Sequence, residues 1–515
     1  MVPSTPDLPV QPIAADAPVI FPCAECGRTL RAKPEAAGTR LRCPHCKKAV
    51  LVPNAEPALE ADVVVDDSPA PARRATFPFG GVTAIVASIA MVATIAGCAV
   101  YANLSFAVTN RVNYKYFPPF KPFVNANSND HLGAEYYNIA KAMVAGEGFS
   151  SPFKEKTGPT AWMPPVLPTV LAALLLLCDG NQDAVMTIVI CLQVFALNIT
   201  GLLVVALAWQ STKRLTVVFA AAFFVVMAIG DFRQWFQNTH DCWIILLALD
   251  AVVAGFAWAA PLDSKTRAAG WGVWGGLIAL VSPIAGFAWG VICLALIVRK
   301  RAWKPGAIAI LVAGLTLTPW MVRNYLVFGR LIPVKSNAAY ELWQSQCATP
   351  DGLLQTSVFG GHPYASAGRE RQQYKLLGEI AFLDQKQKLF WDSVAADRLD
   401  FLDRVACRGL GATLWYVPSD RVDGSRRVWV LWISRVLFPL PFLAMLFLLA
   451  TAFIEPMHPV QWIGIGAYML YLTPYIAVSY YDRYAMPLLG VKVLLVVWAA
   501  DRVLSLIWPP KPQPL

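Results

Sequence analysis

From Val82 to Leu104 the chain carries no charged residue, a stretch long enough to cross a hydrocarbon core of roughly 30 Å as a helix. Further runs with little or no charge follow at 184–209, 215–230, 242–260, 271–298, 305–322, 428–454, 459–479 and 484–506. In lipid every backbone polar group must be bonded internally, so such runs fold as helices. The 271–298 run exceeds one ordinary span, and Ser282-Pro283 near its middle predicts two short helices meeting at a break. The fold class expected is mostly α, a polytopic helical membrane protein with about ten spans.

Composition agrees: 57% hydrophobic residues, 15% charged and a mean hydropathy of +0.49 leave an apolar surplus that has to face lipid. The net charge of +10 reads as a topology signal rather than a nucleic-acid surface, because Lys and Arg are retained in cytoplasmic loops during insertion. Met1 to Asp16 is Pro-rich and acidic with no apolar stretch of signal length, so the N-terminus is expected in the cytoplasm. With Arg73 and Arg74 inside, the first span runs outward.

The apolar stretch Pro164 to Cys178 is marginal for crossing. If it lies along the outer surface, then Lys213/Arg214, Lys265/Arg267 and the cluster Arg299, Lys300, Arg301 and Lys304 all fall inside, as the positive-inside pattern prefers. The domains expected are a disordered tail (1–20), a compact cysteine unit (21–53), a disordered linker (54–79) and a transmembrane core (80–322) whose first external loop is 105–183. An external segment (323–427) and C-terminal spans (428–515) follow.

Cys23-Ala-Glu-Cys26 and Cys43-Pro-His-Cys46 are two CxxC knuckles sixteen residues apart, within the spacing of tetrahedral zinc sites with four cysteine ligands. They predict a small cytoplasmic β zinc ribbon whose folding energy comes from the metal. Four closed thiolate ligands leave no open position for catalysis, and His45 stands outside the ligand set. A redox pair is the competing reading. The ribbon's partner is not legible in its residues.

In the first external loop, Asn129-Asp130-His131 precedes Glu135-Tyr136-Tyr137-Asn138-Ile139-Ala140 and Met143, and Gly146-Glu147-Gly148-Phe149 closes the segment. Leu132, Tyr136, Ile139, Ala140 and Met143 recur at helical spacing and predict an amphipathic interfacial helix. A second surface helix begins at Trp162-Met163-Pro164-Pro165. Later, Asn238-Thr239-His240-Asp241 starts a span, Thr318-Pro319-Trp320-Met321-Val322-Arg323-Asn324-Tyr325 leaves one, and Ser336-Asn337 leads to Glu341-Leu342-Trp343. Tyr481-Asp482-Arg483-Tyr484 heads the last run.

The order of these pieces resembles the type C (GT-C) membrane glycosyltransferases, especially the branch with lipid A aminoarabinose transferase and the protein O-mannosyltransferases. The resemblance covers roughly residues 80 to 345 and 460 to 490, and the ribbon has no counterpart in it. It implies a polyprenyl-phosphate sugar donor, an acceptor hydroxyl on a lipid, glycan or protein approached from outside, and inversion at the sugar carbon. Asp130 matches the family's first-loop acid and is the candidate general base. Asp241 resembles its second external acid, which holds the sugar or a divalent metal ion. Arg323 and Arg483 are candidates for phosphate contact, and His131, Tyr137, His240 and Asn324 complete the expected substrate-binding set. The aminoarabinose branch carries a Lys just before the second surface helix, where this chain has Trp162-Met163, with Lys154 and Lys156 a few residues earlier.

Each assignment has a plainer alternative. Asp130 and Asp241 can cap the helices that follow them, and Arg323 and Arg483 can be interfacial anchors. Asp250 lies near mid-span and either pairs across helices or marks a polar pathway, whereas Arg435 and Lys492 can snorkel from nearer the span ends. Cys347 and Cys407 are either a disulfide or two free thiols. A transporter or flippase of a lipid-linked substrate would need polar groups near mid-membrane rather than at the outer rim. A noncatalytic sensor or scaffold acting through the ribbon is the third reading.

Overall fold

The computed structural model describes residues 19–23, 29–33, 36–44, 46, 48–53, 81–109, 133–211, 214–236, 238–365, 368–416 and 428–507. Cys26, Asp130 and His131 lie outside the described residues, as do His45 and nearly all of the expected tail and linker. The chain divides into two units, Met1–Arg74 and Ala75–Leu515.

The first unit is two antiparallel hairpins. Strand β1 (Val19–Pro22) pairs with β2 (Thr29–Ala32), with Val19 opposite Ala32, and β3 (Arg40–Arg42) pairs with β4 (Ala49–Leu51), with Arg40 opposite Leu51. Cys23 directly follows β1 and Cys43 directly follows β3. Among the described residues the apolar interior consists of Phe21, Ala32, Val50 and Val52 around Cys23 and Cys43, a core of the small size that calls for a staple.

The second unit is a helical assembly. In chain order it contains α1 (Val82–Thr109), α2 (Ala134–Val144), α3 (Val166–Leu177), α4 (Gln182–Ser211), α5 (Arg214–Gly230), α6 (Phe232–Phe236) and α7 (Cys242–Trp258). Next come α8 (Lys265–Val281), α9 (Pro283–Lys300), α10 (Trp303–Phe328), α11 (Ala338–Cys347), α12 (Arg369–Leu377), α13 (Glu379–Ala396) and α14 (Arg398–Thr413). Last are α15 (Val428–Leu437), α16 (Leu440–Thr451), α17 (Pro459–Ala477) and α18 (Leu489–Ile507), with a 3-10 turn over Asp482–Leu488. Among the described residues five helices are long and apolar enough to cross a membrane: Val82–Ala102, Ala184–Ser211, Pro283–Lys300, Trp303–Phe328 and Leu431–Thr451. The remaining apolar runs form α5, α7, α8, α17 and α18, which pack among them.

The long run at 271–298 does break at Ser282-Pro283, but into α8 and α9, of seventeen and eighteen residues. Ser282 adopts an extended conformation and its hydroxyl accepts from the Ala285 amide, capping α9 as Pro283 begins it. Helices α8 and α9 turn back on one another at this break, with Gly286 against Ala279.

Helix α8 meets α10 along a glycine seam. A Cβ on Gly272 would lie 2.4 Å from the Ala309 carbonyl oxygen, and one on Gly276 would lie 2.5 Å from Thr316 Cβ. Without a hydrophobic drive between helices in lipid, such close approach through small residues supplies the packing. Gly272→Val is therefore expected to destabilise the detergent-purified protein by about 1–3 kcal/mol, read as a lower unfolding midpoint, whereas Gly270→Ala, which meets open space, should leave the midpoint nearly unchanged.

Two local expectations need correction. Helix α2 was expected to lie in the interface with one apolar stripe, but Ala134, Tyr137, Asn138, Ile139, Ala140 and Ala142 are all buried, because α3 and the Phe153 to Trp162 loop cover it. Helix α10 runs on to Phe328, so Arg323 and Asn324 sit inside the helix rather than beyond its end. The positive φ of Gly146 does end the α2 segment, with its N–H and that of Glu147 donating to Met143 and Ala142 carbonyls.

Candidate functional site

The stretch between α2 and α3 is folded tightly on itself. Ser151 N–H donates to the Gly158 carbonyl at 2.9 Å and Thr160 N–H to that of Phe149 at 3.2 Å. Arg323 of α10 holds both strands of this loop: Nη2 donates to Phe149 O at 2.8 Å and Nη1 to Thr160 O at 2.7 Å and Asn324 Oδ1 at 3.0 Å. Its guanidinium also lies over the Phe149 and Trp320 rings. Asn324 is fully buried and donates to Ile332 O at 2.9 Å. Arg323 thus fastens the first loop to α10, and Asn324 orients Arg323 and holds the segment that follows α10.

A second fastener was not foreseen. Glu379, at the start of α13 and buried, accepts from Thr160 Oγ1 at 2.5 Å, Ala161 N at 2.9 Å, Ser336 Oγ at 2.7 Å and Tyr374 Oη at 2.7 Å. Its acceptor-only oxygens suit four converging donors. Around it Phe153, Trp162, Tyr340, Tyr374 and Phe382 form an aromatic core joining the first loop to the 323–427 segment.

These fasteners fix α2 and α11 beside the start of α7 and the 3-10 turn over Asp482–Leu488. Asp241 stands at the N-terminus of α7 but makes no side-chain cap bond; its Oδ2 instead accepts from Tyr136 Oη at 3.0 Å. The capping explanation for Asp241 is therefore not the one used. Tyr137, the tyrosine picked from the sequence, is buried in the contact of α2 with α3 and α4, with Lys141 over its ring. Its neighbour Tyr136 makes the contact instead.

Arg483 is the cation of this group. Burial is the largest single influence and disfavours its charge, but Asp241, Cys242, Tyr481 and Tyr484 together outweigh that and hold its pKa above the ordinary arginine value. Its Nε is buried without a hydrogen-bond partner. Two further carboxylates join this group: Glu135 of α2, and Glu341 of α11, which accepts from Ser479 Oγ at 2.7 Å. Burial raises the Glu135 pKa to about 7, with Arg483 opposing and Glu341 and Asp241 adding to the shift. Asp241, Arg483, Glu135 and Glu341 thus come from four separate elements.

His240 is committed on both ring nitrogens. Nε2 pairs with Gln234 O at 2.8 Å and Nδ1 accepts from Cys242 N–H at 3.2 Å, which fixes the tautomer with the proton on Nε2. Burial, helped by Arg483, lowers its pKa to about 4, so it is neutral. The ligand atoms of His240, Asp241 and Cys242 lie within 4.8 Å of one another, but the Nδ1 lone pair is already spent, a poor fit to a bound cation. In the first unit, the Cys23, Cys43 and Cys46 sulfurs also lie within 4.8 Å of one another and can hold a metal ion. Cys347 and Cys407 are both free thiols.

No protein-family model matches the chain, and no curated protein matches it. Among solved structures it is similar to ArnT from Cupriavidus metallidurans bound to undecaprenyl phosphate, at 15% identity. The match covers 82% of this chain and 79% of that one with a TM-score of 0.35.

The site residues missed were Tyr136, Glu135, Glu341 and Glu379. The first three stood inside motifs already quoted, whereas Glu379 sits in a segment without one. Replacing Glu379 with Ala strands four donors and is expected to cost on the order of 3–5 kcal/mol, seen as faster proteolysis between Phe149 and Trp162; Glu379→Gln should lie between the two.

The pH response of Glu135 has a defined sign. A carboxyl whose folded pKa is raised stabilises the fold fully below its ordinary 4.5 and loses that contribution as pH rises through about 7. His362, whose Nε2 lies 3.7 Å from Glu135 Oε1, is pushed by burial from 6.5 to about 3 and works oppositely, losing its contribution as pH falls. Glu135→Gln should remove the decline of thermal stability toward neutral pH while leaving the acid-side loss in place. An unaltered profile would mean that Glu135 does not titrate there.

Proposed function

We propose that the chain is a GT-C-like glycosyltransferase with about ten spans, inserted in a bacterial inner membrane with its ribbon cytoplasmic and its rim outside. In this reading it moves a sugar from a polyprenyl-phosphate donor to an acceptor hydroxyl on a lipid, glycan or protein, with inversion at the sugar carbon. The observation that carries it is the meeting of Asp241, Arg483 and Glu135 at one rim, from elements remote in sequence.

The chemistry asks for few groups. An acceptor hydroxyl must lose a proton as its oxygen attacks the sugar carbon, and the phosphate that departs from the opposite face gains charge. Asp130 is the proposed base. Arg483 answers the phosphate, its buried Nε offering a donor with no partner in the protein while the Asp241 carboxylate favours its charge. Asp241, oriented by Tyr136, holds the sugar hydroxyls. Glu135, protonated through much of the range below neutral, spares the anionic leaving group one repulsion. Arg323, Asn324, His240 and Tyr137 act by holding the loop and helices that carry this set rather than by touching the sugar.

A transporter would place its polar groups near mid-membrane. There, Asp250 of α7 accepts from Thr200 of α4 at 2.6 Å, beside a cavity of about 10 Å³, room for one water and not for a lipid headgroup. This favours the enzyme reading.

For the first unit we propose structural zinc held by Cys23, Cys26, Cys43 and Cys46. Cys23 Sγ and Cys46 Sγ are 3.8 Å apart, the edge of a tetrahedron with Zn–S bonds of roughly 2.3 Å. The metal supplies folding energy there and takes no part in the transfer.

Sugar transfer from a synthetic polyprenyl-phosphate sugar, measured in proteoliposomes, tests the reading. Asp130→Asn, Asp241→Asn and Arg483→Leu should each lower turnover by about a hundredfold or more, while the ribbon variant Cys43→Ser should retain it. Turnover equal to wild type in Asp130→Asn removes that residue as the base, and equal turnover in all three rim variants overturns the assignment.

A further inference from the structure

Helix α14 has two unlike faces. One is anchored: Arg408 is buried, with Nε donating to Ile476 O at 2.7 Å and Nη2 to Ala477 O at 3.1 Å, so it closes the C-terminal end of α17. The opposite face is bare. Leu399 is 77% exposed, Leu402 58% and Leu410 52%, and with exposed Ala406 they fall on one side of the helix at helical spacing. Asp403 flanks this stripe, and Asp400 pairs with Arg404 at 2.7 Å farther round. Scattered exposed leucines need no explanation, but an ordered stripe of them does.

The occupant is indicated by what the stripe runs into. Just beyond the C-terminus of α14, Trp415, itself 57% exposed, lies 5.2 Å from the Arg435 guanidinium, and the Tyr416 ring lies 5.7 Å from that of Phe438. Arg435 and Phe438 belong to the apolar Leu431–Thr451 span, whose Trp432, Ile433 and Val436 also point outward. The bare face of α14 therefore ends at a surface that meets lipid, with Trp at the junction, where its amphipathic ring is at home in the membrane interface.

We propose that α14 is an interfacial helix whose Leu399, Leu402, Ala406 and Leu410 stripe rests in the headgroup and upper acyl region of the rim-side leaflet. The external segment is then seated on the lipid surface rather than standing clear of it, with charged side chains of α14 turned toward the rest of the segment and toward water. The assignment does not depend on the proposed transfer.

The test places a single environment-sensitive fluorophore at Leu399→Cys, Leu402→Cys or Leu410→Cys, in full-length protein whose exposed Cys191 and Cys347 are replaced by Ser. Ile433→Cys, on the span, serves as the lipid reference. In phosphatidylglycerol/phosphatidylethanolamine proteoliposomes, a shallow lipid-bound nitroxide should quench all three stripe positions several-fold more strongly than aqueous iodide does, in the manner of Ile433→Cys. Iodide quenching that dominates at Leu399 and Leu402 would overturn the proposal. So would protection from both quenchers together with concentration-dependent crosslinking between copies, which would give the stripe to a second molecule. The three positions are exposed, and a variant lost to misfolding leaves the other two to decide the outcome.

Discussion

The carboxylate of Glu379 ties together parts of the chain far apart in sequence, within the aromatic core they share. Two of its four donors belong to the first loop and two to the 323–427 segment. Because it is buried, leaving any of them unanswered would cost more than the bond itself returns. Arg323 completes the attachment from α10 by taking the loop's carbonyls at Phe149 and Thr160. An acidic residue and a basic residue, neither directed at a ligand, thereby set where Glu135 and Glu341 stand relative to Asp241 and Arg483.

The group around Arg483 is electrostatically lopsided, with Asp241, Glu135 and Glu341 set against one guanidinium. Such a group is tolerable in a partly dry setting only if charge is shared or withheld. Asp241 shares through Tyr136 and Arg483, Glu341 through Ser479, and Glu135 withholds by keeping its proton toward neutral pH. The neutral, doubly bonded His240 adds no charge and stiffens the approach to α7.

What the sequence made legible follows from the range of the forces involved. Long uncharged runs report a local fact, the intolerance of lipid for unpaired backbone, so the helices at Val82–Thr109 or Trp303–Phe328 were readable. The break at Ser282-Pro283 was readable for the same reason, since cap and proline act on their neighbours. Cysteine spacing likewise reported a closed set of sulfurs, of which three are described together. The choice between Tyr136 and Tyr137 was not legible, because adjacent helical positions differ by about 100° and only the tertiary neighbours say which faces Asp241. The role of Arg323 was misplaced because span-end arginines look alike until their acceptors are known. Glu379 was invisible: its partners stand up to 219 residues away, and no spacing rule connects them.

Arg483 stands close to the end of a 515-residue chain, while Glu135 and Asp241 precede it by hundreds of residues. During synthesis, the first loop and α7 are made long before their counter-charge exists, and Asp241 must wait beside Tyr136 without it. The guanidinium arrives only with the 3-10 turn over Asp482–Leu488. A ribosome-bound fragment ending before that turn would carry the carboxylates without their counter-charge, so the site is assembled only once the turn has been made.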